Sequence, residues 1–245
     1  MEMENLSSNM QRYFVGGNSE NIIFLEKDIF HIKKVMRNKV GDQVEIVLDG
    51  KAYLTTIDRL EPLHVYINEP ILKEVELDKN LTIFFPLTKS DKAELVVQKA
   101  TELGATKVIF YRAKRCVIKL DQEGFNKKKD RYLSIAKEAS EQCHRLKIVD
   151  ICGVINLQDI DKYLEERNYV AYELEAGKTS PLFEDLSLDN KSTSIIVGPE
   201  GGFEKEEVEL LTQKGFKVVS LGKRILRCET AAIYALSVIS FMMEK

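Results

Sequence analysis

No run of about 18 consecutive apolar residues occurs in the chain, so it offers no helical membrane span. The opening segment, MEMENLSSNMQRYF, is acidic and polar and lacks the apolar centre of a secretory leader. Cysteine is sparse: Cys116, Cys143, Cys152 and Cys228 have no CxxC spacing, and three scattered histidines complete no zinc pattern. These absences predict a cytoplasmic protein with reduced thiols, no metal and no membrane partner. No GxSxG is present, which removes the nucleophile elbow of a Ser-His-Asp hydrolase. GxxxxGK[ST] and GxGxxG are missing too, so P-loop and Rossmann readings lack their fingerprints. A strong basic excess is also absent, the formal net charge being -3. Nucleic acid is then a partner only if positive charge gathers locally.

What is present suits one large domain, or a small one and a medium one, within 245 residues. Residues 11–70 read as β-rich. QRYFV, QVEIVLDG, KAYLTTIDRL and HVYINEP are short alternating or β-branched runs, punctuated by Gly16-Gly17, Gly41-Asp42 and Asp49-Gly50. Between them, Lys27–Val40 places Ile29, Ile32, Val35 and Met36 at helical spacing for one buried face. The pattern predicts a small β-barrel with one helix. That helix carries His31, Lys33, Lys34, Arg37 and Lys39 with no acid between His31 and Val40. Such a run is either a solvated face or a phosphate-contacting patch.

Asn68–Asn80 is polar and charged and marks a boundary, giving domains of 1–72 and 73–245. Beyond it, strands alternate with helices, as in a mostly parallel, doubly wound sheet. Leu81–Pro86, Lys107–Tyr111, Lys147–Val154 and Asn168–Glu173 read as strands. Ser90–Leu103, Asn126–Arg145 and about Leu157–Arg167 read as helices. Asp91 and Glu94 give the first of these a capping-box spacing, and Gly104 its stop. Ala176–Lys191 reads as a polar loop. Glu229–Met243 closes the chain as a helix apolar on several sides, hence deeply buried or at a subunit interface.

The most informative stretch lies just before that helix. Two short apolar runs, Ser194–Val197 and Phe216–Ser220, each lead into a small-residue loop: Gly198-Pro199-Glu200-Gly201-Gly202, then Leu221 to Arg227. In open α/β sheets ligands sit beyond the carboxyl ends of strands, and glycine admits a close backbone approach. The two loops predict one backbone-lined pocket.

GPEGGF followed by LGKRILRCETA resembles the carboxyl-terminal signature of the RsmE family, 16S ribosomal RNA uridine-N3 methyltransferases of the SPOUT class. The likeness extends along the chain. HIKKVMRNKVGD and Arg12 resemble the family's amino-terminal motifs. LTKSDKAELVVQKATELG, AKRCVIK and AKEASEQCHR resemble internal ones. Three positions depart: His144 stands where glycine is common, Val149 where proline is common, and Cys228 where threonine is usual.

The resemblance implies an α/β SPOUT fold with a carboxyl-terminal trefoil knot, preceded by a small PUA-like β-barrel. It implies S-adenosyl-L-methionine as cofactor, the 16S ribosomal RNA of the small subunit as partner, and a homodimer. It places Gly198, Glu200, Gly201, Leu221, Gly222, Ile225, Leu226 and Thr230 near the cofactor. RNA contacts would come from Arg12, His31, Lys33, Arg37, Arg115 and Arg145. Glu200, with the acids after it, suits a cationic sulfonium better than a triphosphate. Methyl transfer to uridine N3 builds negative charge on the uracil carbonyls, which Arg227 or Lys89 could stabilise. The proton acceptor is Glu229, Glu200 or water. A different SPOUT activity on ribose or another base, or a non-catalytic RNA-binding assembly factor, stays open.

Overall fold

The computed structural model describes residues 10–172, 181–186 and 191–244. These divide into two compact units. One runs to Glu76 and includes Ser140–Lys147; the other comprises Leu77–Ala139 and the chain from Ile148 onward.

The first unit contains β1 (Arg12–Phe14), β2 (Gly16–Gly17), β3 (Ile22–Ile23), α1 (Glu26–Phe30), β4 (Gln43–Leu48), β5 (Lys51–Leu60) and β6 (Leu63–Ile71). Its main sheet has the order β1-β4-β5-β6, and β2 pairs with β3 separately. Asp49 and Gly50 both take left-handed backbone, φ 51° and 73°, which suits the tight turn between β4 and β5. Tyr13, Phe24, Ile32, Ile46, Ile57 and Val65 form the core. Among the described residues no ladder joins β6 to β1, so the expected barrel is an open sheet with a hairpin beside it.

The expected helix over Lys27–Val40 is also different. α1 stops at Phe30 and passes into a π-helical turn, His31–Val35. Widening the turn rotates the apolar stripe off the core. Ile32 is fully buried, but Val35 is 57% and Met36 41% exposed. Arg37 then ends the segment with φ 56°.

The second unit contains β7 (Leu81–Pro86), α2 (Ser90–Glu102), β8 (Lys107–Arg112), α3 (Gln122–Gln142), β9 (Asp150–Asn156), β10 (Arg167–Ala171), α4 (Leu182–Asp185), β11 (Thr193–Val197), α5 (Lys205–Gln213), β12 (Lys217–Val219) and α6 (Cys228–Met243). The last residues of α3 pack with the first unit. The sheet has the order β12-β10-β11-β7-β8-β9, with every pairing parallel. All residues of the central strands β7 and β11 are buried. Burial on both faces is why these strands read as unbroken apolar runs. One apolar layer joins the sheet to α2, α3 and α6; the other covers the opposite face with Leu157, Ile160, Val208 and Leu211.

Local differences have identifiable causes. The helix expected over Leu157–Arg167 is a 3-10 turn, Leu157–Tyr163. Asp91 and Glu94 form no capping box: α2 begins after an extended Lys89, and Glu94 pairs with Arg131 at 2.9 Å. The capping box lies instead at α5, between Glu204 and Glu207. Gly104 ends α2 as expected, with φ +80°. Most of the polar loop read over Ala176–Lys191 lies outside the described residues. α6 buries Ala232, Ala235, Leu236 and Ile239, while Tyr234 is 42% exposed. Among the described residues one apolar face of this helix is covered, and Tyr234 and Phe241 lie exposed.

Candidate functional site

The chain runs β7, β8, β9 toward one edge of the sheet and then starts again on the other side with β10, β11 and β12. A crevice at such a switch, beyond the carboxyl ends of strands, is the expected ligand position. A cavity of about 550 Å³ lies there, within the usual range for small-molecule sites. Its walls are Ala171 and Tyr172 after β10, Val197 to Gly202 after β11, and Ser220 to Gly222 after β12. Arg224 to Cys228, Ala231 and Lys92 complete it.

The first loop is fixed from behind. Tyr111 donates its hydroxyl to the Val197 carbonyl at 2.6 Å, and its ring stacks on Phe203. A side chain on Gly198 would put its Cβ 3.2 Å from the Phe203 ring. Gly202 N–H donates to the Pro199 carbonyl at 2.8 Å, with Gly202 at φ 71°. Beyond the loop, Glu204 caps α5. The segment after β8 grips this loop. Arg115 donates to the Gly201 carbonyl at 3.0 Å and to Glu204 at 2.9 Å, and Lys114 N–H donates to Glu207 at 2.8 Å. The second loop turns at Gly222, φ +110°, where the Ser220 hydroxyl meets both its N–H and its carbonyl at 3.1 Å.

At the cavity's edge one ammonium faces two carboxylates. Lys92 hydrogen-bonds Glu200 and lies 3.4 Å from Glu229 Oε2. The Glu200 hydrogen bond holds the Lys92 ammonium above the usual lysine range. Glu229 Oε2 is buried and makes no hydrogen bond of good geometry; the Lys92 contact is a longer ionic one. Burial pushes the neighbouring Cys228 thiol up, with Glu229 the next cause, so it stays protonated.

Gly198, Glu200, Gly201, Leu221, Gly222, Ile225, Leu226 and Arg227 all line this cavity. Thr230 does not; it faces a separate apolar depression with Ile233 and Tyr234. Lys89 precedes α2 and is absent from the cavity wall. Lys92, one helical turn further, occupies it instead. Sequence reasoning missed Lys92 because its partners lie more than a hundred residues away; its spacing of three from Lys89 was the one local signal.

The residues expected at RNA separate into two groups. Arg12 and Arg145 are each 3% exposed and serve the first unit's interior. Arg12 pairs with Glu45 at 2.7 Å, and Arg145 with Glu76 at 2.7 Å. Their guanidiniums pair with the buried Glu45 and the half-buried Glu76, apart from the exposed cations of the same expectation. His31 meets the Tyr13 hydroxyl at 2.9 Å, Lys33 pairs with Glu61 at 2.7 Å, and Arg37 is exposed. Arg115 is half exposed and holds the glycine loop.

A family model described as an RNA methyltransferase domain matches residues 75–240. The chain belongs to the RNA methyltransferase family. A second model, an RNA methyltransferase PUA domain, matches residues 25–69 of this methyltransferase. It is 35% identical to the ribosomal RNA small subunit methyltransferase E of Bacillus subtilis, over 96% of this chain and 98% of that one. The enzyme of the same name from Rickettsia conorii is 35% identical over 90% and 89%. A putative methyltransferase from Legionella pneumophila, solved with bound SAM, superposes with a TM-score of 0.84 at 29% identity, covering 94% of this chain and 96% of that one.

One consequence concerns the grip on the glycine loop. Arg115→Ala in this methyltransferase is expected to weaken cofactor binding by roughly fivefold to tenfold, through loss of the hydrogen bonds that position Gly201. Isothermal titration checks it, and an unchanged affinity would show that the loop holds its shape alone.

Proposed function

We infer that this methyltransferase moves the methyl group of S-adenosyl-L-methionine to N3 of a uridine in the 16S ribosomal RNA of the small subunit. The observation that carries the reading is the meeting of the two expected loops in one cavity, in a chain whose full length parallels small-subunit methyltransferases. The cavity's chemistry fits the cofactor. Backbone-rich walls at Gly198, Gly201 and Gly222 admit close approach, and Leu221, Ile225 and Leu226 offer apolar surface to an adenine.

When bound, S-adenosyl-L-methionine supplies an electrophilic methyl carbon. The chain's own residues do the rest. Glu229, beside the cavity wall in the first turn of α6, is the acceptor we assign to the uracil imide proton: its buried Oε2 makes no hydrogen bond and meets Lys92 only at 3.4 Å, whereas Glu200 hydrogen-bonds that ammonium. Arg227 on the wall stabilises the charge gathering on the uracil carbonyls. Direct transfer from a cofactor held by the Gly198–Gly202 and Leu221–Arg227 loops would need no covalent bond to any residue of the chain. Because N3 lies on the pairing edge, the target uridine is unpaired or extruded.

Residues 1–72 serve as the PUA-like RNA-binding domain, with His31, Lys33 and Arg37 as contacts, and residues 73–245 as the catalytic domain. A trefoil knot is supported by the path of the chain. It leaves β12 at the sheet edge, yet α6 packs on β7, β11 and α2 at the centre. Among the described residues no helix is long and apolar enough to cross a membrane.

A homodimer is supported by the apolar depression of about 880 Å³ along Ile233, Tyr234 and Val238 on α6. Tyr234→Glu is expected to convert the dimer to monomer, measured by sedimentation velocity; a wild-type protein that sediments as a monomer would remove the dimer outright. The reaction itself is tested by labelled methyl transfer to small subunits lacking their modified uridines, followed by nucleoside analysis. N3-methyluridine is the expected product, and a methylated ribose or another base would move the chain to a sister activity.

A further inference from the structure

A second cavity of about 650 Å³ lies in the catalytic unit, built on the segment that follows β8. Its polar walls are Arg112, Lys114, Lys119 and Asp121, and Ile118 and Leu120 supply apolar surface. None of these residues lines the cofactor cavity.

The segment is folded around Arg112. That guanidinium donates to the Leu120 carbonyl at 3.2 and 3.1 Å and to Asn156 Oδ1 at 3.3 Å. These acceptors are neutral, so the arginine is positioned without its charge being cancelled. A turn fixes the middle of the segment, Cys116 N–H donating to the Ala113 carbonyl at 3.1 Å. Lys119 is exposed and has no carboxylate partner among the described residues. Lys114 has only a distant one, Glu206 at 4.0 Å, with both side chains largely exposed. The single acid on the wall, Asp121, is occupied as an acceptor for Gly124 N–H at 2.8 Å. Three cations against one committed acid make this concavity electropositive in a chain of net charge -3.

We propose that this cavity is a phosphate subsite, taking the phosphodiester backbone of the substrate RNA beside the nucleotide that enters the cofactor cavity. The proposal rests on the RNA-substrate reading above. Its ligand class follows from the wall. A planar fixed guanidinium and two mobile ammoniums suit tetrahedral anions, and the apolar strip can lie under a ribose. The same segment also grips the glycine loop through Arg115, and the helix after that loop through Lys114 N–H on Glu207. Backbone held here is therefore held at a fixed offset from the methyl donor.

The test is equilibrium binding of a labelled 16S ribosomal RNA fragment to the full chain across a salt series. The variants are Lys119→Glu and Lys114→Glu, with Lys162→Glu as a control on the 3-10 turn outside both cavities. Arg112 is left intact because it closes the segment. Each lysine reversal is expected to weaken RNA binding by about tenfold and to lower the salt slope by about one, while cofactor affinity is kept. Wild-type RNA affinity in both variants would overturn the subsite. So would an equal loss in Lys162→Glu, which would reduce the effect to overall charge. Failure of the wild-type chain to bind the fragment would instead count against the RNA-substrate reading. The two failures are thus distinct.

Discussion

Glu45→Ala is expected to destabilise the first unit by about 3–5 kcal/mol, the usual penalty for orphaning a buried ion. Glu45 Oε2 accepts from Arg12 Nε at 2.8 Å, lies 2.7 Å from the second Arg12 nitrogen and meets His144 Nδ1 at 3.0 Å. Both side chains of the Arg12–Glu45 pair are 3% exposed. Removing the carboxylate leaves a buried guanidinium whose remaining acceptors among the described residues are the backbone carbonyls of His144 and Arg145. Domain stabilities are themselves about 5–15 kcal/mol, so much of the unit's margin would go. Urea denaturation followed in the first unit measures the change. The paired replacement Arg12→Met with Glu45→Leu is expected to cost less than Glu45→Ala alone, because it removes both charges. Equal cost would locate the effect in packing instead of charge.

That pair also shows where sequence reading runs out. The resemblance places Arg12 and Arg145 at RNA, and an arginine in a sequence carries no record of its burial. Their carboxylates are 33 and 69 residues away, a pairing that only the tertiary fold creates. His144 is a similar case. A residue unlike the common glycine was visible in the chain, but its reason was not: the backbone there is left-handed, φ 59°. Glycine meets that conformation at no steric cost, and histidine bears a strain set against its bond to Glu45.

The parallel sheet was legible for the opposite reason. β7 and β11 are buried on both faces, so their apolar runs are local facts of the sequence. The two loops were legible because glycine and proline leave a strong local mark. The helix expected over Lys27–Val40 was not, since Ile29, Ile32, Val35 and Met36 fit an α-helical stripe until a π-helical turn rotates the stripe away. Within the site, the cavity walls after β11 and β12 could be read in advance. Lys92 could not, because it matters only through Glu200 and Glu229, which the fold brings to it.

Gly201→Val is expected to weaken cofactor binding by about tenfold to a hundredfold, corresponding to the ~1–3 kcal/mol of an overpacked contact. A Cβ at this position would sit 2.9 Å from Arg115 Cβ and 3.4 Å from the Arg115 carbonyl. The first distance is too short for any real contact, and Arg115 Cβ is fixed to its own backbone, so relief requires one loop to move. The arginine is also the donor that holds the Gly201 carbonyl at 3.0 Å, so the same movement breaks the grip. Gly201 is exposed and belongs to no helix or strand, and the urea midpoint should change little. This separates it from Arg115→Ala, which removes the grip but leaves the loop room to keep its shape. Isothermal titration with S-adenosyl-L-methionine reads the outcome. A valine variant that binds the cofactor as the wild type does, with its fold intact, would mean that the Gly198–Gly202 loop is not the cofactor's wall.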